Sequence, residues 1–208
     1  MKELEFAALL CSRLCHDLIS PVGAISNGIE ILADEDDDAM RLEVMKLLDL
    51  SACQTSNRLK FYRLAFGAAG GIGSQVPIRD TKNATESLFD GTPISLNWNS
   101  EIGELEKSAV KLIMNMVLVA SESLIRGGEL MVNITSEGDK ITLEVSVRAE
   151  RVIFQDKVKE MICGAVDQME ADPKLAPAYL AATVAAQLKS RINYTEHNEN
   201  SFTLNAYI

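Results

Sequence analysis

The residues best able to do chemistry lie in LCHDLISPVGAISNGIEIL, residues 14–32, where His16, Asp17 and Pro21 stand as H-D-x-x-x-P. A neutral imidazole is a good nucleophile near neutral pH, and one ring nitrogen can be free while the other carries hydrogen. Such a group can accept a phosphoryl group as a phosphoramidate and hand it on. That transfer depends on positioning and charge neutralisation more than on side-chain acids and bases. The other histidine, His197 in His197-Asn198-Glu199-Asn200, reads as a surface residue with no such setting.

The element carrying His16 is a long helix. Cys11, Cys15, Leu18, Val22, Ile25, Ile29 and Leu32 recur at alternating spacings of four and three, an apolar seam. At 100° per residue, His16 lies roughly 150° from the centre of that seam. It is therefore expected to face water. The same outer face collects Leu9, Ser12, Arg13, Asp17, Ser20, Gly23 and Asn27, mostly small or polar. A partner's backbone could approach closely there. Pro21 has no N–H, so the carbonyl of Asp17 loses its ladder donor and the helix is expected to bend. The bend reads either as a tolerated surface kink or as a device that exposes the histidine.

Residues 3–33 and 39–66 are predicted to form two helices joined by an acidic turn whose late aspartates cap the second. A short turn makes them an antiparallel hairpin. Two such helices cannot bury a seam this long, and a dimer forming a four-helix bundle is the economical solution. Arg58 and Lys60 of the second helix stand at about the level of His16.

The chain has 208 residues, 47% of them hydrophobic and 24% charged, as in a soluble globular protein. A net charge of −10 argues against a nucleic-acid surface and against an anionic membrane partner. No signal peptide and no apolar run long enough to span a bilayer is evident, so a cytoplasmic setting is expected. The four cysteines show no CxxC pairing, and three of them lie in helical segments and read as small core residues of a reduced protein. The Gly-rich stretch from Gly67 to Pro77 marks the boundary between a hairpin domain (1–67), a linker (68–76) and a second domain (77–208). In that second domain Ile94–Trp98 alternates as a strand, and Glu104–Ile125 reads as a helix ended by Gly127-Gly128. Leu130–Thr135 and Lys140–Arg148 form a hairpin around Gly138. Helices near Gln155–Cys163 and Ala176–Lys189 precede a closing hairpin, Arg191–Thr195 with Ser201–Ile208. The fold class is α+β, a mostly antiparallel sheet with helices on one face.

His16-Asp17-Leu18-Ile19-Ser20-Pro21 resembles the phosphoacceptor box of sensor histidine kinases, whose helical hairpin dimerises into a four-helix bundle. Their α/β-sandwich ATP-binding domain, of the Bergerat type, carries nucleotide motifs that are degenerate here. Asn115 fits the first Asn of the N-box, but Val119 stands where the magnesium-holding Asn belongs. Arg148-Ala-Glu-Arg151 replaces the D-x-G-x-G loop, and Pro173-Lys-Leu-Ala-Pro177 the glycine phosphate loop. Strand and helix order remains while the nucleotide motifs are lost. That combination resembles the ChpT-type histidine phosphotransferases of alphaproteobacteria, over the whole chain.

The resemblance implies a cytoplasmic phosphorelay intermediate that binds no ATP. His16 would accept phosphate from the receiver of a hybrid kinase and pass it to response-regulator receivers, in that family regulators of the cell cycle. The Mg²⁺ would sit in the receiver, so this chain need hold no metal. Arg13 would neutralise phosphoryl charge or meet an acidic receiver rim. Asp17 would orient His16 or simply be solvated, Ser20 would leave room, Leu9 would pack on the receiver, and Arg58 and Lys60 would be further partner contacts. Two rival readings are an active histidine kinase and a dimeric adaptor without phosphoryl transfer.

Overall fold

The computed structural model describes residues 3–67, 75–164 and 172–208. Helix α1 runs Glu3–Asp34 and helix α2 runs Asp38–Ala65, a hairpin with boundaries close to those expected. Asp37 caps α2, its side chain accepting from the backbone N–H groups of Ala39 and Met40. Arg41 closes the other side of the turn by donating to the carbonyls of Leu32 (2.9 Å) and Glu35 (2.7 Å). These contacts satisfy orphan groups at both helix ends facing the turn.

Within the hairpin, α1 turns Leu14, Leu18, Pro21, Ile25, Gly28 and Leu32 inward at spacings of four and three. Gly28 is required by close approach, since a Cβ there would stand 2.7 Å from Leu48 Cδ2. Pro21 is buried, so it is not a surface kink, and α1 continues through it as one helix. A second set of apolar positions on the two helices stays uncovered: Ile19 is 73% exposed, and Val22, Ile29, Met45 and Leu47 are also exposed. Cys11, Cys15 and Cys53 are exposed too, which corrects their reading as core residues. The periodicity was right about a stripe, but the inner half of that stripe is shifted toward Leu14 and Pro21.

The second region begins with strand β1 (Gln75–Pro77) and helix α3 (Ile78–Phe89). Strand β2 (Ile94–Ser100), strand β3 (Glu104–Glu106) and helix α4 (Lys107–Ser121) follow. Then come β4 (Gly128–Glu137), β5 (Lys140–Arg148), helix α5 (Asp156–Ile162) and a 3₁₀ turn (Pro173–Leu175). Helix α6 (Ala176–Gln187) and strands β6 (Ile192–Asn198) and β7 (Ser201–Tyr207) complete it. The five-stranded sheet has the order β2-β4-β5-β7-β6, with β2 and β4 parallel and the other neighbours antiparallel. Its inner face, including Leu130, Val132, Leu143, Val145 and Leu204, packs in one cluster with the helices. Its outer face is polar, as where Asn99, Asn133 and Glu144 join across three strands.

Three differences from the sequence reading have clear causes. The expected helix 104–125 is shorter at both ends. Residues 104–106 pair with β1 instead. At the far end the Ser121 and Ser123 hydroxyls take the Leu118 and Ala120 carbonyls and close the helix before the glycines. Helix α3 was not anticipated, because threonines 81 and 85 sit on its buried face and disguise the apolar period. Gln75 and Val76, assigned to the linker by composition, form β1, while residues 68–74 of that linker lie outside the described residues.

Helix α4 is buried on nearly every side and runs through the core. Phe61, Tyr62 and Ala65 of α2 belong to the same hydrophobic cluster. Asn115 ties the two together, its side-chain amide donating to the Ala65 carbonyl and to the Lys111 carbonyl, both at 2.8 Å. The base of the hairpin is thus seated on the second region, and this fixes what lies beside His16.

Candidate functional site

His16 sits halfway along α1 with its side chain 73% exposed. Its Nδ1 is 3.0 Å from Asp17 Oδ1. Burial alone would raise the Asp17 pKa, but the Tyr62 hydroxyl, the Arg13 charge and the His16 ring N–H outweigh it and hold the carboxyl below its ordinary range. An ionised carboxylate can only accept, so Nδ1 is the protonated nitrogen. Nε2 is left with its lone pair directed away from the carboxylate.

Asp17 in turn is held from three elements. Its Oδ2 accepts from Arg13 Nε at 2.7 Å and from the Tyr62 hydroxyl of α2. Its backbone carbonyl accepts from the Arg58 guanidinium, also of α2. Arg13 reaches past α1 and donates from Nη2 to Glu122, the C-terminal cap of α4. Burial works against the Arg13 charge, yet Glu122 and Asp17 together keep its pKa above the ordinary value. Burial pushes the Glu122 carboxyl up, against the pull of Arg13. Burial and then Asp17 push the Tyr62 phenol up, so it stays a donor.

These positions correct part of the outer-face reading. Arg13 is 8% exposed and Asp17 is half-buried, so neither lies on a wet surface. The face carrying Phe6, Leu10, Arg13 and Leu14 packs on the second region, with the Phe6 ring 5.0 Å from Tyr179. Arg13 is committed to two carboxylates and does not present its charge to an incoming receiver rim. Arg58 is likewise turned inward. Leu9 and Gly23 are half-buried, while Ser12, Ser20, Asn27 and Lys60 are exposed on the hairpin.

A cleft of about 310 Å³ opens beside the imidazole, lined by His16, Asp17, Val119, Glu122, Phe154 and Lys174 among others. The structure thus brings Val119 and Lys174, which stand in two of the stretches read in the sequence as degenerate nucleotide motifs, to the same cleft as His16. Sequence reasoning missed Tyr62, Glu122 and Lys174. Tyr62 lies one turn beyond Arg58 on the inner stripe of α2, a signal that was available. Glu122 carried none, since it is 109 residues from Arg13 in the chain. His197 is also not idle, because its Nε2 stands 2.8 Å from the Thr203 hydroxyl across β6 and β7.

Residues 78–200 match the family described as the histidine phosphotransferase C-terminal domain. The chain is 34% identical over 195 residues to the protein phosphotransferase ChpT of Brucella abortus (strain 2308), covering 93% of this chain and 91% of that one. It is also similar to a bacterial phosphotransferase solved at 1.7 Å, at 31% identity and a TM-score of 0.87. That match covers 99% of this chain and 97% of the other.

Proposed function

The chain belongs to the histidine phosphotransferase family, and on that premise we propose that His16 is the phosphoacceptor of a multistep phosphorelay. It takes phosphate from an aspartyl phosphate on a hybrid-kinase receiver and returns it to aspartates of response-regulator receivers. The observation that carries this reading is the exposed imidazole whose Nδ1–H is held by Asp17, leaving Nε2 open. Nε2 attacks phosphorus, the N–P bond forms, and the P–O bond to the receiver aspartate breaks. The aspartate leaves as a carboxylate. The ring becomes a cation that keeps its Nδ1 proton, and the Asp17 carboxylate stabilises it. Reversal uses the same atoms. Neutralisation of the transferred group falls to the receiver's Mg²⁺, with Lys174 along the cleft as a cation not tied to Asp17 as Arg13 is.

In this reading the protein works as a cytoplasmic homodimer. Support comes from the uncovered apolar stripe on both helices, with Ile19, Val22, Ile29 and Met45 exposed in the single chain. One helix among the described residues, α1, is by length and composition apolar enough to cross a membrane. The sequence reading had not expected that, and a four-helix bundle covers the same residues. The chain holds no ATP in this reading and has no autokinase activity, because Val119 cannot bind magnesium and apolar Phe154 and Val158 line the cleft.

The test is His16→Ala incubated with a phosphorylated receiver domain and Mg²⁺. The parent takes up acid-labile phosphate and passes it to a second receiver, and His197→Ala does the same. A His16→Ala protein that still becomes labelled overturns the assignment.

A further inference from the structure

We propose that Glu122 and Tyr62 are positioning residues for phosphoryl transfer, acting through Arg13 and Asp17 to fix the tautomer and orientation of the His16 imidazole. This rests on His16 being the phosphoacceptor.

The lone pairs of Asp17 are divided among its partners. Oδ2 is occupied by two donors, Arg13 Nε at 2.7 Å and the Tyr62 hydroxyl. Oδ1 is left for His16 Nδ1 at 3.0 Å. Rotating the carboxylate would break both bonds at Oδ2, so the position of Oδ1 is set by partners that never touch the imidazole. The backbone beneath it is held as well, because Arg58 donates to the Asp17 carbonyl. An exposed imidazole with no such anchor would exchange freely between tautomers and rotamers. Here the anchored acceptor favours Nδ1–H and keeps the nucleophilic lone pair on Nε2.

Arg13 could not hold Asp17 alone. Its guanidinium is buried, and a lone carboxylate leaves most of its donors to be satisfied elsewhere. Glu122 takes the far side of the fork. The placement of Glu122 is otherwise unfavourable, since a carboxylate at the C-terminal cap of α4 meets the negative end of the helix dipole. Arg13 offsets that penalty. The charged groups facing the imidazole and its anchor are therefore Arg13 and Asp17 on α1, Arg58 on α2, Glu122 at the end of α4 and Lys174 in the 3₁₀ turn, with the neutral Tyr62 phenol of α2 beside them. In this network the second region reaches the phosphoacceptor through one carboxylate. It gives a domain that keeps a kinase-like arrangement, without the nucleotide motifs, a part in the chemistry of the histidine.

The experiment uses the full chain labelled with ¹⁵N-histidine. The chain has two histidines, so His197 serves as the internal reference. Ring ¹⁵N spectra of the parent, Tyr62→Phe and Glu122→Gln are recorded near pH 8, together with the rate of transfer from a phosphorylated receiver. The expected result is a parent His16 dominated by Nδ1–H. Both variants shift toward mixed tautomers and transfer about tenfold more slowly, the size of effect outer-shell partners of a histidine typically have. His197 signals stay in place, which reports an intact sheet. A slower rate with an unchanged His16 tautomer overturns the proposal and leaves the network a domain clamp. Unchanged rate and tautomer overturn it too. The underlying phosphoacceptor reading fails separately, if His16→Ala takes up phosphate.

Discussion

The Arg58 guanidinium donates to the backbone carbonyl of Asp17, the carbonyl that Pro21 leaves without its helical donor. A proline inside a helix close to His16 is thereby tolerated, because the second helix of the hairpin supplies the missing hydrogen bond. The same contact puts a positive charge under the residue that holds His16.

Arg58→Ala should therefore cost more than an ordinary half-exposed arginine. It leaves a carbonyl in the hairpin interior unpaired, a loss of about 1–3 kcal/mol. Urea unfolding at a fixed protomer concentration measures it. A variant as stable as the parent would show that water satisfies this carbonyl as well as Arg58 does.

The uncovered stripe makes a second expectation. Ile29 is 58% exposed in the single chain and sits on the apolar side of α1. The parent should sediment as a dimer at micromolar concentration, and Ile29→Asp should shift it toward monomer by placing a charge in the bundle core. A parent that sediments as a monomer refutes the bundle.

His16→Ala should leave folding nearly unchanged, within about 0.5 kcal/mol, since an outward side chain on a helix adds little packing. Thermal melting checks this. A variant that melts well below the parent would make the histidine structural.

Acid stability should report on Asp17. Its folded pKa is lowered, so the folded state takes this proton less readily than the unfolded chain. The resulting stability is present above the ordinary carboxylate pKa of about 4 and is lost as pH falls through the folded value. Glu122, whose carboxyl is raised by burial, contributes with the opposite sign, so the parent alone cannot isolate the effect. The stability difference between parent and Asp17→Asn should shrink on going from about pH 6 to pH 3. A constant difference would mean that the partners do not hold this carboxylate ionised.

Calorimetry with Mg-ATP should show no binding at micromolar nucleotide. Measurable affinity would overturn the reading of the cleft beside Val119 and Phe154 as unfit for ATP.

Much of this was legible in the sequence for a definite physical reason. A helix repeats every 3.6 residues, so the spacing of Leu18, Val22, Ile25 and Ile29 fixes a seam, and the seam fixes where His16 points. The hairpin, the cap at Asp37, the turn at Gly138 and the closing strands follow from equally local rules. Helical spacing states which residues share a face, but not what that face meets. Arg13 and Asp17 share the outer side of α1 with Ser12 and Ser20, and nothing local distinguishes an arginine in water from one between two carboxylates. Only the seating of α1 against α4, α6 and the 3₁₀ turn decided it. That packing brought Glu122 to Arg13 across 109 residues, and the pairing of α1 with α2 brought Tyr62 to Asp17 across 45. The proposed nucleophile was thus written in one turn of helix, while the groups that hold it in place exist as a set only after the chain has folded.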